Sequence, residues 1–272
     1  MELLKLIILS IIQGITEILP ISSSGHLILF KHLLNLDYDG LTFEIFLHLG
    51  SLIAILIYYF NDIKDIIKNA YKYIFYRNQN YKNEFKLLIN LFISTLCTGC
   101  IALLIKDYIE LYLSSIFYLP LFFLVTSLLL YLSKYFKQER VVNDMNMKDS
   151  IKIGLFQLIG VIPGISRSGI TFFSTKLCKL KDEDGFRYTF FLFIPIAFAS
   201  FITEIPSISN LSFPPYYYII MVIVTLIFTL FSIILFKKLI KSNKLHYFSF
   251  YLLLMSLITI VLTINWEHNL LK

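Results

Sequence analysis

Three stretches of this chain, residues 87–105, 116–133 and 216–236, run for 18 to 21 positions without a charged side chain. The core of a bilayer offers no water to backbone N–H and C=O groups, so a spanning segment closes its hydrogen bonds as a helix or joins a closed barrel. At 1.5 Å per residue these runs match the roughly 30 Å hydrocarbon core as helices, and they are about twice as long as a barrel strand. Three further runs carry one or two ionisable residues: 43–60 with Glu44 and His48, 186–202 with Arg187, and 245–264 with His246. Six full transmembrane helices are therefore expected. A chain that is 57% hydrophobic and 15% charged, with mean hydropathy +0.75, is no ordinary soluble domain and belongs with the all-α membrane proteins.

The net charge of +6 is informative through its placement. Lys and Arg number six in 61–86, five in 134–152, four in 176–187 and four in 237–244, whereas 37–42 and 203–215 have none and 106–115 and 265–272 one each. The positive-inside rule puts the first four segments in the cytoplasm and the other four outside. Charges distributed by loop, rather than gathered on one face, do not make a nucleic-acid surface.

Against this apolar background a polar cluster occurs twice, 144 positions apart: QGITEILPISSSGH at 13–26 and QLIGVIPGISRSGI at 157–170. Ionisable groups are costly in hydrocarbon, so Glu17, His26 and Arg167 mark a functional site. The charge map starts residue 43 outside and residue 186 inside. A there-and-back segment ahead of each then enters from opposite sides, and three spans separate the copies. The expectation is an inverted-topology repeat, each half a re-entrant helical pair followed by three spans. Its boundaries are 1–133 for the first repeat, 134–150 for a cytoplasmic linker and 151–272 for the second.

The re-entrant legs, about 10 to 15 residues each, are too short to cross the core. Pro20 and the pair Pro163 and Gly164 break them, and the serine-rich turns lead into HLILFKHLL and ITFFSTKL, helices with Ser or Gly at the cap. Non-helical backbone at that depth must be buried or line a wet cavity, so the two turns are expected to face one pocket. Two helix N-termini aimed there make an anion site suited to phosphate.

The copies differ in chemistry. Glu17 and His26 correspond to Val161 and Ile170, while Arg167 corresponds to Ser23. Gln13 and Glu17, four apart, share a helix face. Arg167 offers a permanently charged fork of donors matched to phosphate. Ser23, facing it, is the candidate nucleophile, with Ser22 and Ser24 as supporting donors or alternatives. His26 is the natural proton carrier, and Glu17 could accept the serine proton, orient His26 or bind a divalent cation.

Other polar residues carry blander readings. Tyr216, Tyr217 and Tyr218 beside Pro214 and Pro215 read as lipid-facing packing or an interfacial anchor. Cys97 and Cys100 are expected as small core residues, and His32 and His246 as structural histidines. Glu44 and His48 either support the pocket or pair locally. Glu204 and Trp266 suit the interface, and 179–184 a solvated loop. The N-terminus lacks a cleavage motif and reads as retained.

With those residues in place, the chain resembles the BacA/UppP family of undecaprenyl-diphosphatases, named also for bacitracin resistance, over nearly its whole length. QGITEILPISSSGHL fits the family's first motif, in which Glu or Gln is followed four residues later by Glu. FEIFLHLGSLIAIL from Phe43 fits a second block, and PGISRSG from Pro163 the arginine motif. The resemblance implies hydrolysis of undecaprenyl diphosphate to undecaprenyl phosphate, the carrier recycled in peptidoglycan synthesis, at the outer face of the cytoplasmic membrane. It implies Glu17, Ser23, His26 and Arg167 as catalytic residues, and Gln13, Ser22, Ser24, Ser166, Ser168 and Gly169 as substrate-binding ones. Partners are the lipid substrate, bacitracin as a competitor for it, membrane lipids and, left open, a second copy in a homodimer. Mg2+ or Ca2+ is the cofactor such proteins are described with. Many members have Glu where this chain has Gln13, which weakens a metal site there, and no closed ligand set is visible.

The mechanism that follows has Ser23 attacking the terminal phosphorus with help from Glu17 or His26, while attack by water or by His26 itself remains open. The competing reading is a lipid-phosphate transporter or flippase on the same inverted repeat. A carrier needs the anion grip but no proton-transfer pair.

Overall fold

The computed structural model describes residues 1–36, 41–204, 213–241 and 245–270, with the side chains at 41, 42, 106, 110, 204, 241 and 265–270 left aside. Those of Glu204 and Trp266 therefore lie outside the description. The fold is helical, with no strand among the described residues: α1 (Glu2–Thr16), α2 (Ser23–Leu33), α3 (Leu41–Tyr58), α4 (Phe60–Tyr76), α5 (Lys82–Leu113), α6 (Leu119–Ser133), α7 (Met147–Ile159), α8 (Arg167–Leu177), α9 (Asp182–Glu204), α10 (Pro215–Lys241) and α11 (Tyr247–Leu270). Five of them, α5, α6, α9, α10 and α11, contain windows long and apolar enough to cross a membrane. The sixth expected span is α3, which qualifies only together with α4, and the two are bent by 69° at their junction. The chain is thus a multi-pass integral membrane protein.

Two segments depart from expectation. The lysine-rich stretch from 61 onward is no simple loop, because it folds as α4 and the first turns of α5. Ile66 and Ala70 bury one stripe of α4, and its Asp62 receives Arg187 of α9 across 3.4 Å, giving that intramembrane cation a partner. The run 179–184 is only half solvated, with Lys179, Lys181 and Glu183 exposed. Asp182 is buried, paired with Lys176 and bonded by Gln138 Nε2 at 2.9 Å, while Asp184 accepts from the Val142 N–H at 3.2 Å. Its acids open α9, where the helix dipole favours them. α7 begins at Met147, where Asn146 and Asp149 each accept the other's backbone N–H at 3.0 and 2.9 Å. Cys97 is half-buried and Cys100 exposed, so the latter is not a core residue.

The short helices α1 and α7 are seated alike. α1 packs against α10, and α7 against α5. At Gly14 a Cβ would lie 2.8 Å from the Thr225 carbonyl, and at Gly154 one would lie 2.6 Å from the Ser94 carbonyl. Hydroxyls seal both seams: Thr225 Oγ1 donates to the Ser10 carbonyl at 3.3 Å, and Ser94 Oγ to the Ser150 carbonyl at 2.7 Å. Small residues that admit close backbones, with side-chain hydrogen bonds across them, are how helices associate where lipid is as apolar as leucine. Around these seams α3 contacts both α9 and α10, α5 contacts α9, and α6 pairs with α11.

Candidate active site

The site forms where the two short helical pairs turn. α1 ends at Thr16, and the chain re-enters helix at Ser23 with Ser22 as cap, its Oγ accepting the Gly25 N–H at 3.1 Å. α7 ends at Ile159, and α8 starts at Arg167 with Ser166 as cap, its Oγ accepting the Gly169 N–H at the same 3.1 Å. The turns also hold each other. Ser24 Oγ accepts the Gly164 N–H at 3.1 Å, and Ser168 Oγ donates to the Leu19 carbonyl at 3.1 Å. Gly164 has φ of 96°, the left-handed conformation a side chain would resist, while Ser22 adopts φ of 69° despite its side chain.

Glu17 is the hub. Its Oε1 accepts from Arg167 Nη2 at 2.6 Å, and its Oε2 accepts from Ser23 Oγ at 2.5 Å and Gln13 Nε2 at 2.9 Å. Ser23 and Arg167, the equivalent first residues of α2 and α8, thus meet on one carboxylate. The Arg167 guanidinium carbon sits 4.6 Å from the Phe193 ring centroid, which orients its fork. A charged pair in such surroundings holds because the two charges meet and the carboxylate accepts three hydrogen bonds. A small cavity, about 20 Å³, opens beside the pair, lined by Glu17, Gln157, Arg167, Ser168, Thr171 and Phe193 among others.

Of the residues singled out from sequence, Gln13, Glu17, Ser23 and Arg167 form this bonded chain. Ser24 and Ser168 tie turn to turn, and Ser22 and Ser166 cap the helices, the latter occupying the Gly169 N–H. His26 stands apart from Glu17. Its Nδ1 lies 2.7 Å from the Ser22 carbonyl and its Nε2 2.7 Å from Tyr251 Oη, so Nδ1 carries the proton and the imidazole accepts from the tyrosine. Tyr251, Phe193 and His48 are members that sequence reasoning left out or left open. His48 Nδ1 is 3.1 Å from Gln13 Nε2 and 3.7 Å from Glu17 Oε2, whereas Glu44 turns to Lys31 at 3.5 Å instead of pairing with it. Of the two readings open for Glu44 and His48, the contacts of His48 favour support of the pocket over a local pair.

This donor set offers Mg2+ or Ca2+ one carboxylate, Glu17, and no ready-made protein cage. Ca2+ takes six to eight oxygens, whereas Mg2+ is commonly held by one or two carboxylates with waters and substrate phosphate. Among the described residues no three His, Cys, Asp or Glu gather to hold a metal ion, and both oxygens of Glu17 already hold Arg167, Ser23 and Gln13.

Comparison with known proteins agrees over nearly the whole chain. Residues 6–258 match the family model described as "Bacitracin resistance protein BacA". The chain is 38% identical to "Undecaprenyl-diphosphatase 3" of Bacillus anthracis, covering 95% of this chain and 97% of that protein. It is 33% identical to "Undecaprenyl-diphosphatase 1" of Halalkalibacterium halodurans, over 96% of each, and 32% identical to "Undecaprenyl-diphosphatase" of Oceanobacillus iheyensis, over 93% and 94%. The chain belongs to the BacA family.

Proposed function

We propose that this protein is a membrane phosphatase that hydrolyses undecaprenyl diphosphate to undecaprenyl phosphate and inorganic phosphate. The observation that carries the reading is the Ser23–Glu17–Arg167 chain: a hydroxyl on a carboxylate, and that carboxylate on a guanidinium from the other turn. A base-bonded serine is how a weak nucleophile is activated, and an arginine fork is the side chain matched to phosphate oxygens. A carrier has use for the second and none for the first. The relatives' names supply the substrate.

In this mechanism the terminal phosphate enters between the turns and takes up Arg167 donors that Glu17 does not hold. Ser23 Oγ attacks the terminal phosphorus while its proton passes to Glu17. The bond from that phosphorus to the bridging oxygen breaks, and undecaprenyl phosphate leaves with the electron pair and the proton. Water then attacks the phosphoserine, giving a proton to Glu17, and the Ser23 oxygen recovers it as inorganic phosphate departs. Gln13, Ser22, Ser24, Ser166, Ser168 and Gly169 shape the turns around the phosphate. His26, held by Tyr251, fixes the Ser22 carbonyl at the start of α2.

The wider reading is an inverted repeat of 1–133 and 151–272 joined by a cytoplasmic linker, with two re-entrant pairs and the site open to the outer face of the cytoplasmic membrane. Its support is the matched seating of α1 and α7, the matched caps, the odd number of spans between the copies and the charge map. Recycling the lipid carrier at that face would raise bacitracin resistance, since the antibiotic takes the same lipid.

Phosphate release from undecaprenyl diphosphate by purified protein tests the reading, with Glu17→Ala, Ser23→Ala and Arg167→Ala alongside. Turnover in the wild type and its loss in all three, with a trapped phosphoserine, is the expected result. Full activity in Ser23→Ala with no covalent species would remove serine from the mechanism.

A further inference from the structure

Gln13 has a side chain with two faces and only one useful orientation. The residue is fully buried, and its amide donates one hydrogen to Glu17 Oε2 at 2.9 Å. Turned over, the amide would set its carbonyl oxygen against that carboxylate oxygen, acceptor against acceptor. Glu17 would swing away from the repulsion, and the same Oε2 is the atom that holds Ser23 Oγ. Gln13 Oε1 has no partner, and an orphaned buried carbonyl is a standing pull toward some other orientation.

The opposing influence comes from α3. The second amide hydrogen of Gln13 meets His48 Nδ1 at 3.1 Å. To accept it, Nδ1 must be bare, so the ring carries its proton on Nε2. Glu17, which can only accept, fixes which way the amide faces, and the bare Nδ1 then holds the second hydrogen and with it the position of the amide. One turn earlier on the same helix, Glu44 holds Lys31 of α2. α3 is thereby tied to both arms of the first helical pair, which fixes where His48 stands relative to Gln13.

We propose that His48 is a positioning residue for the Ser23–Glu17 pair, acting through the Gln13 amide to keep Glu17 Oε2 on the serine hydroxyl. The proposal rests on the phosphatase reading above. It assigns to the block around Phe43 a part in the chemistry, although no atom of His48 has to touch the reacting phosphorus.

The test compares His48→Leu, His48→Gln, Gln13→Leu and the double variant Gln13→Leu/His48→Leu as purified protein, with thermal melts to verify folding. His48→Leu is expected to lower kcat roughly tenfold with KM within about twofold, the mark of an interaction needed in the transition state. His48→Gln, whose carbonyl can accept the same amide hydrogen, is expected to recover most of kcat. The double variant should be no worse than Gln13→Leu alone, since both changes cut one path. Unchanged kcat in His48→Leu, a His48→Gln as poor as the leucine variant, or multiplying losses would each overturn the proposal. The ¹⁵N spectrum of the His48 ring gives a readout free of turnover: a bare Nδ1 in the wild type, with tautomers mixed in Gln13→Leu. A ring insensitive to Gln13→Leu would sink the contact itself. Wild-type protein that released no phosphate would overturn the phosphatase reading instead, and the ring spectrum would still judge the Gln13–His48 bond.

Discussion

The two serine-rich turns are the same device carrying different cargo. Ser22 and Ser166 cap their helices with the same 3.1 Å bond, and the flanking hydroxyls lie 3.5 Å apart in one turn and 3.3 Å in the other. Each turn also binds the other at an equivalent peptide, that between 19 and 20 or between 163 and 164. In the second turn that peptide offers the Gly164 N–H, and Ser24 accepts it. In the first the following residue is Pro20, which has no N–H, so Ser168 donates to the Leu19 carbonyl instead. The cap bonds match although the backbone differs, with Ser22 at φ 69° and Ser166 at φ −74°, and the reactive positions differ too: Glu17 and Ser23 on one side, Arg167 on the other. The comparison teaches that neither turn is a site alone, because the shared carboxylate lies in one and its counter-charge in the other.

The hardest test of that division is to empty each side in turn. Arg167→Ala and Glu17→Ala are each expected to lower phosphate release by at least 10²–10³-fold, the scale for losing a charge-stabilising group. Arg167→Lys should recover little, since a single ammonium cannot hold Glu17 and phosphate as a fork does. Equal activity in either alanine variant would break the comparison. Next comes Gly160→Ala, whose added Cβ would fall 2.6 Å from Arg167 Cα and push the second turn's cargo off the first. A displacement near 1 Å costs roughly 10²-fold in rate. Gly99→Ala, with nothing within 4 Å, is the matched control and should keep full turnover.

Smaller effects sharpen the asymmetry at the linking peptide. Ser24→Ala leaves the buried Gly164 N–H without its acceptor and should cost about 1–3 kcal/mol in a detergent melt, whereas Ser168→Ala relieves a carbonyl of one donor and should cost about 1 kcal/mol. The reverse order would mean that the two bonds are not counterparts. The smallest effect lies at the start of α7, where Arg140 pairs with Asp149 at 2.7 Å. Burial opposes the Asp149 charge, but the Arg140 hydrogen bonds outweigh it and hold the carboxyl below its ordinary value of 3.8. A lowered folded-state value stabilises above 3.8 and is lost as pH falls through it. Asp149→Asn should therefore melt below wild type at neutral pH, with the gap closing under about pH 4.

Sequence alone revealed most of the architecture, because apolar run length and loop charge are direct imprints of bilayer thickness and insertion. It also brought Gln13, Glu17, Ser23 and Arg167 into one pocket, since a duplicated polar cluster in hydrocarbon has few other uses. It was weaker where a partner arrives from a distant helix. His26 was visible as a candidate proton carrier, but its partner Tyr251, 225 residues away, was not. His48 and Glu44 share one helix face, yet α1 and α2 claim one each. The segment 61–86 hid a helix because its Lys and Arg read as a loop, while the stripe that packs, Ile66 and Ala70, is narrow.

That hidden helix bears on how deep the site lies. α4 leaves α3 at 69° and exposes Phe60, Ile67, Tyr71, Ile74 and Phe75 beside Lys64, Lys68 and Lys72. A helix of this pattern suits a bilayer surface, its apolar side toward lipid and its lysines among the headgroups. Lying there, it would act as a float for α3, and the depth at which His48 meets the first turn would be gauged from the membrane surface.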